Sequence, residues 1–204
     1  MLSTATTHSF PRRLARLTDG TTVLLREQTR ADRGQIADLF AGLSSPSRNL
    51  RFGTGMPPAL ARRYLDILAN VDGHRHAAIL AIHDARVIGA ARYVRDSDAA
   101  EAEIAVTVTD AFQRRGLGRL LIETLTAVGA ARGVERFTYE ILPENRVARA
   151  LARRLRPATT RPRPEHPTGP LPSRLPHELS ATRRPGRPSQ RRRQTDVSKS
   201  SSHA

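Results

Sequence analysis

The chain has 204 residues, enough for one ordinary domain plus an appendage, and it has no cysteine, which excludes disulfide bonds and thiolate metal sites. The formal net charge is +15, with Lys199 as the only lysine, and a basic body suits an anionic ligand. The longest apolar runs are strand-sized and the N-terminus lacks a secretory signal pattern, so we expect a cytoplasmic protein with no membrane partner.

The first part of the chain predicts one strand followed by two helices. Apolar residues alternate in the strand and recur at helical spacing in both helices, and Pro57 and Pro58 can open the second helix. In chain order the predicted segments are a flexible leader over 1–16, a strand over 21–27, a helix over 30–43, a loop over 44–55, and a second helix with the apolar stripe Leu60, Tyr64, Ile67 and Leu68.

The later part of the chain alternates strands and helices. A turn near Asp84 and Ala85 closes a hairpin, and Gly133 is placed where a helix C-cap belongs. The predicted segments are hairpin strands over 76–83 and 86–95, a strand over 101–109, a helix up to Ala131, a strand over 137–142 and a helix over 145–155.

A glycine-containing turn, Gln113-Arg114-Arg115-Gly116-Leu117-Gly118-Arg119, joins the strand over 101–109 to the next helix. Backbone N–H groups at a helix start lack intrahelical partners and the helix dipole favours an anion there, so this turn predicts a phosphate site. Gly116 and Gly118 allow close approach of the backbone, and three arginines add positive charge. The spacing is neither the P-loop nor the dinucleotide fingerprint. An ordinary turn with glycines for tight packing is the alternative.

The Gln-x-x-Gly-x-Gly spacing at 113–118 resembles the acetyl-CoA signature of the GCN5-related N-acetyltransferases, the GNAT family. The predicted order of elements is similar to the first part of that fold. The resemblance implies an α/β (α+β) domain over residues 17–156, with a mixed central sheet flanked by helices. It also implies that the fold is truncated, because the two strands that normally close it have no counterpart in the sequence after Leu155.

Residues 157–204 form an Arg/Pro/Ser-rich segment that we expect to be disordered. It contains nine of the 14 prolines and carries a charge of +7, from nine arginines and Lys199 against three acidic residues. Such a composition cannot bury enough apolar surface to offset the entropy of ordering. Two explanations stay open: a shifted reading frame near Leu155, or a basic tail that binds nucleic acid weakly and without sequence preference through phosphate contacts.

The family resemblance implies acetyl-CoA as cosubstrate and no metal. In such enzymes the strand before the turn lends backbone groups to the pantetheine arm, and the amides of the turn hold the pyrophosphate. Asn145 matches a position near the cofactor arm in many members, and a helix N-cap is its alternative role. Carried over to this chain, the cofactor-binding residues are Val106, Thr107, Val108, Arg114, Arg115, Gly116, Leu117, Gly118, Arg119 and Asn145.

Glu103 is the candidate catalytic residue. Acetyl transfer to an amine needs a general base for the ammonium proton and donors for the oxyanion at the thioester carbonyl. In the lysine-acetylating relatives a glutamate at this place acts as the base, and Ala102-Glu103-Ile104 resembles that context; a solvated strand-edge carboxylate is the alternative. Where many relatives place a tyrosine as acid for the thiolate, this chain has Ala152.

A second segment, Leu39–Phe52, looks like the pattern Phe-x-x-Leu-Ser-x-x-Ser-x-x-x-Arg-Phe of bacterial protein-lysine acetyltransferases that modify acyl-CoA synthetases. A helix followed by a polar loop is the alternative interpretation. The resemblance implies direct transfer of acetyl to a protein lysine, with an acyl-CoA synthetase as one such acceptor. Two hypotheses from other classes are a catalytically impaired acetyl-CoA-binding remnant and a nucleic-acid-binding protein that acts through its basic tail.

Overall fold

The computed structural model describes residues 10–52, 58–96, 99–154 and 160–162. Seven strands lie side by side in chain order, antiparallel from the first to the fifth and parallel from the fifth to the seventh. The mixed sheet flanked by helices confirms the predicted α/β class. The elements are β1 (Arg13–Arg16), β2 (Thr22–Glu27), α1 (Arg33–Ala41), α2 (Ser45–Phe52), α3 (Pro58–Ala69), β3 (His76–His83), β4 (Arg86–Val94), β5 (Glu101–Val108), α4 (Leu117–Ala131), β6 (Arg136–Tyr139), α5 (Arg146–Arg154) and β7 (Thr160–Pro162).

Two apolar clusters cover the two faces of the sheet. On one face α4 packs through residues such as Leu121 and Leu125, both fully buried, and on the other face α1 and α3 pack through residues such as Ile36 and Leu68. The central strands β3 and β4 are therefore buried on both sides, which explains their nearly continuous apolar sequences. A Cβ added at Gly89 in β4 would lie 3.0 Å from Leu121 Cδ1, so a glycine lets α4 approach the sheet closely.

The start of the chain departs from the prediction of a flexible leader over 1–16. Arg13–Arg16 form β1, which pairs antiparallel with β2 from Arg13 opposite Leu25 to Arg16 opposite Thr22. The strand has exposed arginines and Leu14 is 70% exposed, so it carries no alternating apolar pattern. Backbone pairing at the sheet edge, which leaves no periodic signal in the sequence, holds this segment. Residues 1–9 lie outside the described part of the chain.

The predicted loop over 44–55 is also wrong, because Ser45–Phe52 form α2. Ser44 starts this helix: its Oγ accepts the N–H of Ser47 at 3.3 Å and its carbonyl accepts the N–H of Arg48 at 2.9 Å. Pro46 is tolerated because it stands in the first turn. The segment is short and polar, so its helicity depends on tertiary contacts that a pattern of apolar residues does not reveal.

The C-terminal elements are shorter than predicted. The strand predicted over 137–142 is confined to β6 at Arg136–Tyr139, and the following helix, α5, spans Arg146–Arg154. Thr160–Pro162, inside the segment predicted to be disordered, pair as β7 with β6 in parallel. Residues 155–159 and 163–204 lie outside the described part of the chain. Among the described helices, none combines the length and apolarity that a membrane span requires.

Candidate active site

The main cleft opens where β5 and β6 separate. The two strands pair in parallel only from Glu101 opposite Arg136 to Glu103 opposite Thr138, after which β6 ends at Tyr139 while β5 continues to Val108. The divergence leaves one edge of β5 facing a cleft of about 640 Å³. Residues of α2, of α5 and of the glycine-containing turn also line this cleft.

The cleft gathers most of the residues that the sequence singles out. Arg115 and Leu117 are the two candidates that do not line it. Those that line the cleft are Glu103, Val106, Thr107, Val108, Arg114, Gly116, Gly118, Arg119 and Asn145.

The turn presents a run of backbone amides to the cleft. Arg114 and Gly116 adopt left-handed conformations, with φ of 63° and 83°, and the first helical hydrogen bond runs from the Leu120 N–H to the Gly116 carbonyl at 3.0 Å. Within the described part of the chain, the N–H groups of Arg114 through Arg119 have no backbone or side-chain acceptor. These donors lie at the positive end of α4, an arrangement that suits a phosphate or diphosphate group.

Arg115 does not add its charge to the turn as the sequence suggests. Its guanidinium forms an ion pair with Asp19 at 2.8 Å and stands over the Phe112 ring, 5.0 Å from the centroid. Its carbonyl accepts the N–H of Thr18 at 3.1 Å. Arg115 therefore fastens the turn to the β1–β2 connection. Leu117 is buried in the apolar core beside α4, so its side chain does not reach the cleft.

The remaining arginines of the turn stay near the cleft. Arg119 pairs with Glu123 one helical turn later, at 2.7 Å, and 60% of its side chain is exposed. Arg114 is exposed, and its guanidinium forms no ion pair with any of the described residues. Arg114 is thus the turn arginine best able to follow an anionic group in the cleft.

Asn145 caps α5. Its Oδ1 accepts the N–H of Ala148 at 3.0 Å, which is the N-cap role considered from the sequence. Because Asn145 also lines the cleft, its cap does not conflict with a second role beside the cofactor arm. Ala152, the position where many relatives carry a tyrosine, lines the cleft on the same helix.

Glu103 stands at the point where β5 and β6 part. Its neighbours on the same face of β5 are Glu101 on one side and Ala105 on the other. Glu101 is drawn away from the cleft by Arg136, whose guanidinium lies 3.3 Å from its carboxylate. Glu103 therefore carries the β5 carboxylate that lines the cleft.

A buried polar cluster lies behind Glu103. Arg92 of β4 donates to the Leu68 carbonyl at 3.1 Å and lies 3.4 Å from His76 Nε2, and both side chains are almost fully buried. Burial, followed by the nearby charge of Arg92, lowers the pKa of His76 to about 3. The ring is therefore neutral near pH 7, and with Nδ1 next to the Asn70 carbonyl at 3.2 Å, Nε2 is the acceptor toward Arg92.

Several cleft residues carry no distinctive sequence signal. Thr18 comes from the β1–β2 connection, Tyr139 and Glu140 from the end of β6, and Arg146 from the start of α5. Arg146 belongs to the arginine-rich sequence of α5, which is consistent with a site for an anion. Thr18, Tyr139 and Glu140 belong to no sequence motif. The described residues contain no group of three potential metal-ligating side chains.

Comparison with known proteins shows that residues 45–156 match the acetyltransferase (GNAT) family. Acetyltransferase PA5475 of Pseudomonas aeruginosa is 30% identical over 139 residues, which cover 66% of this chain and 74% of that protein. Acetyltransferase Pat of Mycolicibacterium smegmatis is 35% identical over 115 residues, 55% of this chain, but the match spans only 34% of Pat. The crystal structure of the GNAT domain of S. lividans PAT superposes with a TM-score of 0.65 at 28% identity, over 70% of this chain and 86% of that domain.

Proposed function

The chain belongs to the acetyltransferase (GNAT) family, and on that premise we propose that it transfers the acetyl group of acetyl-CoA directly to a lysine amine of a protein. The observation that carries this proposal is the run of backbone amides over 114–119 at the start of α4, of which Arg114, Gly116, Gly118 and Arg119 line the cleft. These donors suit the diphosphate of acetyl-CoA, and the exposed edge of β5 beside them suits an extended amide-containing arm.

The position of Glu103 supports a role as the general base. It lies on the strand that would hold the cofactor arm, at the mouth of the divergence between β5 and β6. In the proposed reaction Glu103 accepts a proton from the lysine ammonium, directly or through water, and the neutral amine attacks the thioester carbonyl. A β5 amide beyond Glu103 stabilises the oxyanion. The C–S bond then breaks as the new amide forms, and the second proton of the attacking amine passes through water to the departing CoA thiolate. No covalent enzyme intermediate is required.

A protein lysine is the acceptor that we propose, because the chain is similar to two bacterial Pat proteins and because its segment Leu39–Phe52 resembles a pattern of bacterial protein-lysine acetyltransferases. The Pat of M. smegmatis is about three times longer than the matched region, so its activity as a whole protein is no guide to regulation here. An acyl-CoA synthetase is the first acceptor to test.

The experiment has two steps. In the first, acetyl-CoA at about 100 times its Kd should stabilise the folded protein by about 2.7 kcal/mol, measured as a rise in melting temperature. Acetyl-pantetheine, which lacks the diphosphate, is the matched control and should produce a much smaller rise. In the second, labelled acetyl-CoA is incubated with an acyl-CoA synthetase, with a variant that lacks its active-site lysine, and with small amines. Absence of any thermal shift at saturating acetyl-CoA would refute the cofactor site, whereas labelling of small amines alone would refute the protein acceptor.

A further inference from the structure

The start of α2 is hydrogen-bonded to the carboxylate of Asp110, which lies more than 60 residues later in the chain. Asp110 Oδ2 accepts the backbone N–H of Ser44 at 2.9 Å, while Oδ1 accepts the hydroxyl groups of Ser44 at 2.8 Å and Ser47 at 2.6 Å. These donors stabilise the ionised form, so the pKa of Asp110 is lowered, first by the Ser44 amide and then by the Ser47 hydroxyl. One exposed carboxylate thus meets three donors from a single end of α2.

Ser47 also contacts the glycine-containing turn. Gln113 Nε2 donates to Ser47 Oγ at 3.2 Å and to the Val108 carbonyl at 3.1 Å. Asp110 and Gln113 bracket the short connection between the end of β5 and the amides at 114–119. Ser47 is therefore held by both ends of that connection.

The other end of α2 is fastened through Arg51. Its Nε donates to Thr107 Oγ1 on β5 at 3.2 Å, and a terminal nitrogen donates to the Tyr64 hydroxyl on α3 at 3.0 Å. Ser44, Ser47 and Arg51 are three and four residues apart, so they share one side of the helix. The contacts give a physical reason for the Ser-x-x-Ser-x-x-x-Arg spacing, because all three residues bind to β5 or its continuation.

Helix α2 covers the face of β5 that carries Glu103. Thr107, the partner of Arg51, lies on the same strand face as Glu103 and Ala105, and Ser47, Leu50 and Arg51 line the cleft there. Helix α5 lies toward the opposite face of the sheet, because its Leu151 packs against the apolar cluster of α4, and a Cβ at Gly118 in the turn would lie 3.4 Å from Leu151 Cδ2. Of the two helices that line the cleft beside β5, α2 is therefore the one that shares a face of this strand with Glu103.

We propose that Asp110 is a positioning residue that holds α2 as the acceptor-side wall of the cleft. The inference rests on the proposed function, since it assigns the acceptor to the α2 side. Asp110 does not contact the reacting atoms; it acts through Ser44, Ser47 and Gln113. Loss of its carboxylate should loosen α2 while leaving the amides at 114–119 in place.

Hydrogen exchange measured by mass spectrometry tests, without an acceptor, whether Asp110 holds α2 in place. In Asp110→Ala, the amides of α2 should exchange about tenfold faster than in the unmodified protein, while acetyl-CoA should still protect residues 114–119. Asp110→Asn is the conservative variant: its amide can donate to both serine hydroxyls while its oxygen accepts the Ser44 N–H, so it should restore most of the protection. Asp66→Ala is the matched control, because it removes an exposed carboxylate of α3 that pairs with Arg33 of α1. It should leave hydrogen exchange in α2 unchanged.

Kinetics with an acceptor that is labelled in the experiment described under the proposed function separate positioning from a general loss of stability. Asp110→Ala should raise the acceptor KM roughly tenfold, with the Kd of acetyl-CoA within twofold of the original value. Equal α2 exchange in Asp110→Ala and Asp66→Ala, or an equal loss of acetyl-CoA and acceptor binding, would overturn the proposal. If acetyl-CoA fails to protect 114–119 in the unmodified protein, the proposed function fails instead, and α2 exchange in the ligand-free variants still decides whether Asp110 holds the helix.

Discussion

At the scale of single residues, Glu103 offers the sharpest test of the chemistry. Glu103→Gln keeps the shape of the side chain but removes its ability to accept a proton. We expect kcat to fall by about 10²-fold or more, with the Kd of acetyl-CoA nearly unchanged, because the base acts on the acceptor amine and not on the diphosphate. Steady-state rates and a thermal-shift titration with acetyl-CoA provide the two measurements.

Glu101→Gln is the matched control for this substitution. Glu101 lies two residues earlier on the same face of β5, but its carboxylate pairs with Arg136 and does not line the cleft. The Glu101→Gln variant should therefore retain a kcat close to that of the unmodified protein. Equal rates for Glu103→Gln and the unmodified protein would remove Glu103 as the base, and equal losses in both variants would indicate a general effect of negative charge on this strand.

The buried pair of Arg92 and His76 leads to a second residue-scale prediction, which concerns the dependence of stability on pH. The neighbours of His76 are the Arg92 guanidinium at Nε2, the Asn70 carbonyl at Nδ1, and Asp72, whose carboxylate accepts the His76 backbone N–H at 2.9 Å. The pKa of His76 falls from 6.5 to about 3 in the folded protein, so the unfolded chain binds a proton in this interval that the native state does not. The contribution of His76 to the free energy of unfolding is therefore fully present above pH 6.5 and is lost as the pH falls toward 3.

His76→Gln should make the stability curve flatter in acid. A full one-proton difference corresponds to about 1.4 kcal/mol per pH unit, so between pH 6.5 and 5 the unmodified protein should lose roughly 1–2 kcal/mol more than the variant. Urea denaturation at a series of pH values measures the difference. His83→Gln, a substitution at the more exposed end of the same strand, is the comparison. Parallel curves for His76→Gln and the unmodified protein would contradict a neutral buried ring.

At the scale of elements, predictions succeed where a segment carries its own periodic signal. The β3–β4 hairpin, with Asp84 and Ala85 in left-handed conformations, and helix α4, with Leu117, Leu121 and Leu125 on its buried side, agree with their sequence patterns. The sequence does not predict strand β1 or helix α2, because both are largely exposed and neither has a periodic apolar pattern. They exist through partners elsewhere in the chain: the edge of β2 for one, and Asp110 and Thr107 for the other.

In the candidate site, too, the sequence predicts the features that depend on local residues and misses those that depend on distant ones. The amide turn at 114–119 is local, since two glycines between a strand and a helix define it, and the sequence predicts its place. The direction of the Arg115 side chain is not local, because it depends on Asp19, which is 96 residues away in the chain. Likewise, β6 ends at Tyr139 instead of continuing to residue 142, and the divergence from β5 that forms the cleft is a tertiary property.

The turn itself yields an element-scale prediction. Gly116 has φ of +83°, and a Cβ there would lie 3.1 Å from Thr18 Cγ2, so Gly116→Ala strains the turn and shifts the amides that follow. We expect a stability loss of about 1 kcal/mol and an increase of roughly tenfold in the Kd of acetyl-CoA. Isothermal titration and thermal denaturation of the same preparations measure both quantities.

Gly133→Ala controls for the backbone strain alone. Gly133 has nearly the same φ, +82°, and a Cβ there would meet no described atom within 4 Å. It follows α4 at the end opposite the turn and does not line the cleft. This variant should lose similar stability yet bind acetyl-CoA normally. If both variants bind the cofactor equally well, the geometry at Gly116 is not what presents the amides.

At the scale of the whole molecule, the positive charge divides into two parts with different expected roles. The first 156 residues carry +8 and contain the cleft, where an arginine-bearing turn and α5 face a site suited to a polyanionic ligand. The remaining residues carry +7 in a segment rich in proline. Because the described sheet and both apolar clusters draw only on residues before 163, the two parts can be separated experimentally.

Truncation after Pro162, which keeps β7, should separate two kinds of anion binding. Residues 163–204 include the clusters Arg183–Arg184 and Arg191–Arg193, and five such phosphate contacts correspond to a slope of about −4.5 in log K against log salt concentration. The full chain should therefore bind a short DNA duplex weakly at low salt with that slope, and the truncated chain should lose this binding while its melting temperature still rises with acetyl-CoA. A full-length variant with these five arginines changed to glutamine should behave as the truncated chain does toward DNA. DNA binding that survives both changes would place the nucleic-acid surface on the body, in competition with acetyl-CoA for the same arginines.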